Sequence, residues 1–249
     1  MVVVHPDLLG TYGDGGNGLV LANRARWRGI EAELVLAPSD RPLPATGDLY
    51  CLGGGEDGPQ SRSAEVLADG ALERAVGRGA TVLAVCAGFQ ILGTSFPGAD
   101  GGRRAGLGLL DVDTGRGTGR RAVGELLVAP STPAPDGTGL PGWLGGLDPL
   151  TGFENHAGRT VLGSGATPLG QVLHGTGNGG HDDGAVQGRV VATYLHGPVL
   201  ARNPQLADAL LALVVGGPLP QLGDQEEEAL RAERLAAIAS PRRPFARLG

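Results

Sequence analysis

The stretch Thr81-Val-Leu-Ala-Val-Cys-Ala-Gly-Phe-Gln-Ile-Leu92 decides the class of fold of this chain. Residues 81–85 form a continuous apolar run, which is typical of a strand that is covered on both faces of a sheet. A helix is predicted over residues 88–92, so Cys86 lies on the turn between the strand and the helix. A side chain on such a turn projects from the carboxyl edge of the sheet.

Further strands and helices alternate on both sides of this stretch. Strands are predicted at residues 2–4, 32–36, 48–52, 125–128, 160–162 and 190–195. Helices are predicted at residues 19–28, 63–77, 203–215 and 224–239, and loops at residues 98–119. This alternation predicts an α/β fold with three layers, in which helices flank a mostly parallel sheet.

The length of 249 residues fits one domain with a short extension. We assign residues 1–217 to the domain and residues 218–249 to a C-terminal helix and tail. No apolar run reaches the ~18 residues that a membrane span requires. Met1 leads into Val-Val-Val without a basic segment, so we expect no secretory signal. The chain has only two cysteines, which favours a cytoplasmic protein. From the apolar runs we expect no stable membrane insertion.

The absence of lysine excludes several classes of enzyme. All 20 Lys+Arg positions are arginine, because the chain contains no lysine. A P-loop requires a lysine on the nucleotide phosphates, and Schiff-base catalysis requires a lysine amine. The formal net charge of -6 also argues against a nucleic-acid-binding surface.

The two cysteines have different surroundings in the sequence. Cys51 lies inside a predicted strand, where a free thiol acts as a small apolar side chain. Cys86 precedes a helix N-terminus, whose partial positive charge favours a thiolate. From the local sequence, Cys86 is either a nucleophile or a buried structural cysteine.

A thiolate nucleophile requires a base, and the chain has five histidines. His196 follows the strand predicted at residues 190–195, so it also lies at a strand end. Active-site residues of parallel sheets commonly lie at such ends. His156 is a competitor, but no comparable strand end is predicted before it. The remaining three are expected in turns or in solvent: His5, His174 and His181.

A glycine motif near the N-terminus allows a different interpretation. Residues 13–18 match Gly-x-Gly-x-x-Gly between a predicted strand and a predicted helix, as in dinucleotide-binding proteins. About 1.5 matches to this pattern are expected by chance in so glycine-rich a chain, and four occur. A tight turn and a dinucleotide site therefore remain alternatives.

Several motifs together resemble a known family. Val-Cys-Ala-Gly-Phe-Gln at residues 85–90 and Thr-Tyr-Leu-His-Gly-Pro at residues 193–198 resemble the class I glutamine amidotransferases of the cobyric-acid-synthase branch, which have a flavodoxin-like fold. Five further stretches resemble GatD-type subunits, the glutaminase subunits of lipid II isoglutaminyl synthase. They occupy residues 6–17, 53–57, 106–112, 152–156 and 200–204. The resemblance extends from about residue 6 to residue 213.

The resemblance implies the roles of individual residues. Cys86 would be the nucleophile, His196 the general base and Arg121 the residue that binds the glutamine α-carboxylate. Arg120 is the alternative to Arg121. We expect oxyanion donors from the Ala87 amide and from the turn at residues 53–55. Pro198 stands where many relatives carry the triad acid, so the acid must come from elsewhere. Its candidates are Asp14, Glu154 and Asp182.

The resemblance also implies a division of labour between two subunits. This chain would hydrolyse L-glutamine through a cysteinyl thioester, without a metal or cofactor. Ammonia would pass to a Mur-ligase-like partner, MurT, which would bind ATP and amidate D-glutamate of lipid II in peptidoglycan synthesis. Two rival functions remain, an amidotransferase of corrinoid synthesis and a catalytically silent binding module with the same fold.

Overall fold

A computed structural model describes residues 1–133 and 139–239 of the chain. Its strands, in chain order, are β1 (Val2–Val4), β2 (Val35–Ala37), β3 (Leu49–Leu52), β4 (Thr81–Val85), β5 (Ser95–Pro97), β6 (Arg103–Ala105), β7 (Val112–Arg116), β8 (Ala122–Pro130), β9 (Leu150–His156), β10 (Gly158–Leu162), β11 (Gly170–His174), β12 (Asp182–Asp183), β13 (Ala185–Gln187) and β14 (Val190–Thr193). Its α-helices are α1 (Gly16–Arg26), α2 (Asp57–Leu67), α3 (Ala71–Gly77), α4 (Ala87–Leu92), α5 (Val199–Arg202), α6 (Pro204–Val215) and α7 (Gln225–Ala239).

The central sheet has six strands in the order β13-β14-β4-β3-β1-β2. All neighbouring pairs run parallel except β13 and β14. Every residue of β3, β4 and β14 is buried, as the apolar runs predict for strands covered on both faces. Two groups of helices pack around the sheet, α1 with α5 and α6, and α2 with α4. The predicted α/β fold with a mostly parallel sheet is confirmed.

Two smaller sheets were predicted only in part. Their strand orders are β10-β7-β5-β6 and β12-β11-β8-β9. The second sheet contains the long antiparallel pair β8–β9, in which Ala122 lies opposite His156. A β-bridge between Phe153 of β9 and His196 joins this sheet to the end of β14. The antiparallel sheet is therefore attached to the carboxyl edge of the central sheet.

Several predicted boundaries were wrong. The helix predicted at residues 63–77 is two helices, because Gly70 between them adopts a left-handed φ of 78° that ends the first helical path. The loops predicted at residues 98–119 contain β6 and β7, in which charged and polar residues interrupt the apolar pattern of a strand. Helix α1 begins at Gly16 rather than at residue 19. Strand β2 covers Val35–Ala37 rather than residues 32–36.

The glycine motif at residues 13–18 has a packing explanation in this structure. A Cβ on Gly18 would lie 2.5 Å from the Val3 side chain, so a glycine is needed where α1 crosses β1. Asp14 within the motif turns towards the carboxyl edge of the sheet and binds the backbone amide of Gly54 at 2.9 Å. The tight-turn interpretation accounts for both residues.

The segment after residue 217 is tied to the domain by an ion pair and a hydrogen bond. Arg24, which is almost completely buried, binds Asp208 of α6 and Asp224 before α7, each at 2.7 Å. In α7, Arg231 donates to the Asn203 side chain at 3.3 Å. Residues 240–249, the predicted tail, lie outside the described residues, and the division at residue 217 stays a prediction. In the described part of the chain, no helix combines the length and apolarity required to cross a membrane.

The buried central strand makes a stability prediction. Leu83 of β4 is fully buried, and Leu83→Ala should lower the free energy of unfolding by about 3 kcal/mol, through lost transfer energy and a cavity. Urea unfolding followed by circular dichroism measures the change. The matched control is Leu36→Ala in β2, where the side chain is 61% exposed and a change within about 0.5 kcal/mol is expected. Equal losses in the two variants would contradict this account of the core.

Candidate active site

Cys86 occupies a strained turn at the carboxyl end of β4. Its φ of 52° and ψ of −102° lie in a region that side chains with a Cβ rarely adopt. The backbone amide of Cys86 donates to Thr193 O at 2.9 Å, and its carbonyl accepts from the Gln90 amide at 3.0 Å. The end of β14 and the first turn of α4 therefore hold the strained residue in place.

His196 lies just beyond the end of β14, beside Cys86. Its backbone pairs with Phe153, with N–H···O distances of 2.8 Å and 3.1 Å in the two directions. The imidazole Nδ1 lies 2.7 Å from Asp14 Oδ2, and both side chains are buried. Of the three predicted acid candidates, Asp14 is the one that the structure places on His196.

The turn at residues 53–55 completes the support of this pair. Asp14 Oδ2 also accepts a hydrogen bond from the Gly54 amide. A Cβ on Gly54 would lie 2.6 Å from His196 Cε1, so only a glycine allows the imidazole to approach the turn this closely. Asp14 is thus oriented by the turn and in turn orients His196.

The protonation of His196 follows from its neighbours. Burial disfavours the imidazolium, but the hydrogen bond to Asp14 and the electrostatic influence of the neighbouring Cys86 outweigh it and raise the pKa of His196 to about 10. Nε2 of His196 has no well-formed hydrogen bond among the described residues. It is the ring nitrogen left for Cys86, and a loose nucleophile–base contact is common in enzymes without substrate.

Two backbone amides at the predicted oxyanion position remain free. Gly54 N–H is taken by Asp14, so this part of the predicted turn does not offer a donor. Within residues 1–133 and 139–239, the amides of Gly55 and Ala87 bind no acceptor. Both residues line the same cavity as Cys86.

That cavity has a volume of about 150 Å³ and is lined by Cys86, His196 and Arg121 among others. It is smaller than the ~300–1,000 Å³ of pockets for drug-sized ligands, and so it suits a ligand the size of an amino acid. Arg121 precedes β8, and its Nη2 donates to the Asn155 carbonyl at 3.1 Å. Arg120 is not among the lining residues, so the geometry favours Arg121 of the two predicted arginines.

The prediction that His156 lacks a strand-end position was wrong. His156 ends β9 and lines the cavity. Its Nε2 lies 3.3 Å from Glu154 Oε2 and its Nδ1 lies 3.1 Å from Gly158 O, while its ring stacks on Tyr194 at 3.7 Å. Both ring nitrogens are therefore occupied, which leaves His196 as the imidazole available to Cys86. Glu154 supports His156, and Asp182 lies in β12.

Sequence reasoning missed several cavity residues. They are Tyr12, Gln60, Gln90 and Asn155. Gln90 could have been found from its position one helical turn after Cys86, since residues four apart share a helix face. Tyr12 and Asn155 lie in the stretches at residues 6–17 and 152–156 that resemble GatD-type subunits, but neither motif shows which of its side chains enter the cavity.

The chain is similar in sequence to proteins of known function. A family model described as the CobB/CobQ-like glutamine amidotransferase domain matches residues 1–204. The chain belongs to this family. The GatD subunit of lipid II isoglutaminyl synthase (glutamine-hydrolyzing) from Streptococcus pneumoniae is 33% identical over 213 residues, which cover 84% of this chain and 77% of GatD. The predicted resemblance to GatD-type subunits is confirmed, and the chain is a glutamine amidotransferase.

Another relative is matched over only part of its length. Cobyric acid synthase from Brucella melitensis is 36% identical over 211 residues, but the match covers only 38% of the synthase and 80% of this chain. Among solved structures, one titled as a glutamine amidotransferase is similar with a TM-score of 0.57 at 22% identity, and covers 86% of this chain and 98% of that chain. This likeness supports the class I amidotransferase fold.

The Asp14 contact makes a prediction about pH. In the wild type, the His196 ring should remain protonated at pH 8, because its pKa is raised to about 10. Asp14→Asn keeps a polar partner but removes the charge, so the pKa of His196 should fall below the wild-type value of about 10. NMR titration of the histidine Cε1–H resonances measures both values.

The same shift affects stability with a definite sign. Because the pKa of His196 is higher in the folded than in the unfolded chain, its contribution to stability is fully present below pH 6.5 and is lost as the pH rises towards 10. A wild-type His196 titration near pH 6.5 would contradict the proposed environment. His174→Gln, which removes an exposed histidine, assigns the resonances and serves as the control.

Proposed function

We propose that this chain hydrolyses L-glutamine through a thioester on Cys86, with His196 as the acid and base. The observation that supports this most directly is the shared cavity of a strained cysteine and a buried His196–Asp14 pair. A nucleophile, a base and a group that orients the base are the parts that acyl transfer by cysteine requires.

The first half of the reaction forms the thioester. The Cys86 sulfur attacks the side-chain amide carbon of glutamine, and the carbonyl oxygen becomes an oxyanion. The free amides of Gly55 and Ala87 donate hydrogen bonds to this oxyanion. His196 then gives its proton to the leaving nitrogen, the C–N bond breaks, and ammonia departs.

The second half releases glutamate. His196, now neutral, takes a proton from water, and the water oxygen attacks the thioester carbon. The C–S bond breaks, and Cys86 and His196 return to their starting state. One glutamine and one water thus become one glutamate and one ammonia. Asp14 holds the imidazole in place and stabilises its charge throughout.

Arg121 is proposed to bind the α-carboxylate of glutamine. Arg121→Ala should raise KM for glutamine about 30-fold and change kcat little, since a charge-assisted hydrogen bond to the non-reacting end of the substrate is lost. Steady-state glutaminase kinetics measure the split. Arg120→Ala is the matched control and should leave KM within about twofold. The opposite ranking of the two variants would reassign the role to Arg120.

We also propose that the ammonia is used by a second subunit. The GatD relative is by name one subunit of a lipid II isoglutaminyl synthase. Amide synthesis from a carboxylate requires an activated acyl group, and this chain has no lysine for a P-loop. The proposed partner is a MurT-like Mur ligase, which binds ATP and amidates D-glutamate of lipid II in a cytoplasmic heterodimer.

Cys86 provides the decisive test of the whole reaction. In the chain co-purified with its ligase, Cys86→Ala should lower glutamine-dependent amidation of lipid II at least about a thousandfold. Amidation driven by added ammonium chloride should persist, because the ligase is unchanged. Mass spectrometry of the stem peptide measures both activities.

The matched control is Cys51→Ala, which removes a buried thiol in β3 and should retain both activities. Full glutamine-dependent activity in Cys86→Ala would remove Cys86 from the mechanism. Glutamine hydrolysis with amidation of a corrinoid carboxylate instead of lipid II would favour the rival function.

A further inference from the structure

We propose that Tyr12 is a second carboxylate-binding residue beside Arg121, and that Asn155 orients both of them. The ligand is the α-carboxylate of the substrate, so this inference rests on the proposed function. It assigns a substrate-binding role to the residue before the glycine motif.

Tyr12 is held over the catalytic pair by its backbone and its ring. Its φ of 59° is unusual for a residue other than glycine. The amide of the preceding Thr11 donates to Gly54 O at 3.1 Å, which ties this segment to the turn at residues 53–55. The Tyr12 ring lies edge-on to His196, with centroids 4.9 Å apart, and 5.9 Å from the Phe153 ring. Backbone strain of this kind persists where surrounding contacts hold it, and it is frequent at ligand sites.

The Asn155 side chain joins Tyr12 to Arg121. Arg121 Nε donates to Asn155 Oδ1, because a guanidinium has only donors. The amide nitrogen Nδ2 of Asn155 therefore faces the other way and donates to the Tyr12 hydroxyl oxygen. Together with the bond from Arg121 Nη2 to the Asn155 carbonyl, these contacts fix three side chains on one wall of the cavity.

The hydrogen-bond count leaves two free donors on this wall. The Tyr12 oxygen accepts from Asn155, so its own proton is available, and it has no acceptor among the residues that the structure describes. Arg121 Nη1 likewise has no acceptor there, and Arg121 makes no ion pair with any described residue. Asn155 thus ties a phenol O–H donor and a guanidinium N–H donor to one wall of the cavity, and a carboxylate has one oxygen for each.

The Tyr12 ring has a simpler possible role, as a cover that excludes water from His196. Phenylalanine distinguishes the two roles, since it keeps the ring on His196 and Phe153 and removes only the hydroxyl. If the ring only excludes water, Tyr12→Phe should keep the affinity for L-glutamine. If the hydroxyl binds the carboxylate, Tyr12→Phe should weaken that affinity. The substrate can be altered in the same way, because L-glutamine α-amide lacks the α-carboxylate and keeps the reacting side chain.

The experiment measures kcat and KM of Tyr12→Phe with both substrates. With L-glutamine, KM should rise about tenfold and kcat should stay within about twofold, as expected for one hydrogen bond to a charged group that does not react. With the α-amide, Tyr12→Phe and the wild type should have the same KM within about twofold. Asn155→Ala should raise KM for L-glutamine more than Tyr12→Phe does, because it releases both donors.

The matched control is Tyr50→Phe. Tyr50 is buried, and its hydroxyl binds Pro44 O and the Gly47 amide rather than the cavity, so KM for L-glutamine should not change. An unchanged KM in Tyr12→Phe, or an equal rise with both substrates, would overturn the proposal and leave the glutaminase function intact.

Binding separates failure of this proposal from failure of the proposed function. In a Cys86→Ala background, isothermal titration with L-glutamine should show a Kd about ten times weaker when Tyr12→Phe is added. That result without turnover by the wild type would refute the glutaminase function and keep the binding role of Tyr12. A Kd that is insensitive to Tyr12→Phe, or no binding of L-glutamine, would overturn the binding role.

Discussion

The buried hydrogen bond between Asp14 and His196 is the interaction on which the rest of the site depends. It joins residues 182 positions apart in the chain at one edge of the central sheet. A charged pair taken out of water loses much of its hydration, and such a pair is stable only when further hydrogen bonds compensate. The Gly54 amide supplies one of these to Asp14, and Cys86 interacts with the imidazole. The turn, the acid, the base and the nucleophile are therefore one connected unit.

Two polar atoms of this unit lack hydrogen-bond partners, which leaves them available for catalysis. Asp14 Oδ1 and His196 Nε2 are buried and have no hydrogen-bond partner in the described part of the chain. Unsatisfied buried groups cost free energy and are rare in proteins, except where function needs them. The positive φ of Cys86 is a second cost at the same place. The closely packed strands β3, β4 and β14 supply the rigidity that maintains both.

The attached antiparallel sheet gives the cavity its second wall. The bridge between Phe153 and His196 connects β9 to the central sheet, so the residues at the end of β9 face the catalytic pair. Arg121, at the start of β8, comes to the same wall because β8 and β9 are paired. The central sheet thus carries the reacting groups, and the antiparallel sheet carries the groups that we assign to substrate binding.

The sequence by itself determined the parallel strands of the central sheet, with their approximate ends, but not the antiparallel edge strand β13. Continuous apolar runs are a local signal, and they were enough to place Cys86 after β4 and His196 near the end of β14. The resemblance added Arg121. Asp14 remained one of three candidates, since nothing near it in the sequence shows which histidine it contacts. Strands β7 and β9, with the end position of His156, were missed because each contains a glycine and several polar residues and so lacks a continuous apolar run.

Only the tertiary structure decided which distant side chains meet. The contacts of Asp14 with His196 and of Asn155 with Tyr12 each link residues more than a hundred positions apart. Such contacts are produced by the order of strands in the sheet and by the pairing of the second sheet with its edge. Hydrophobic periodicity carries no information about either, because it reports how each segment is buried and not which segment lies beside it.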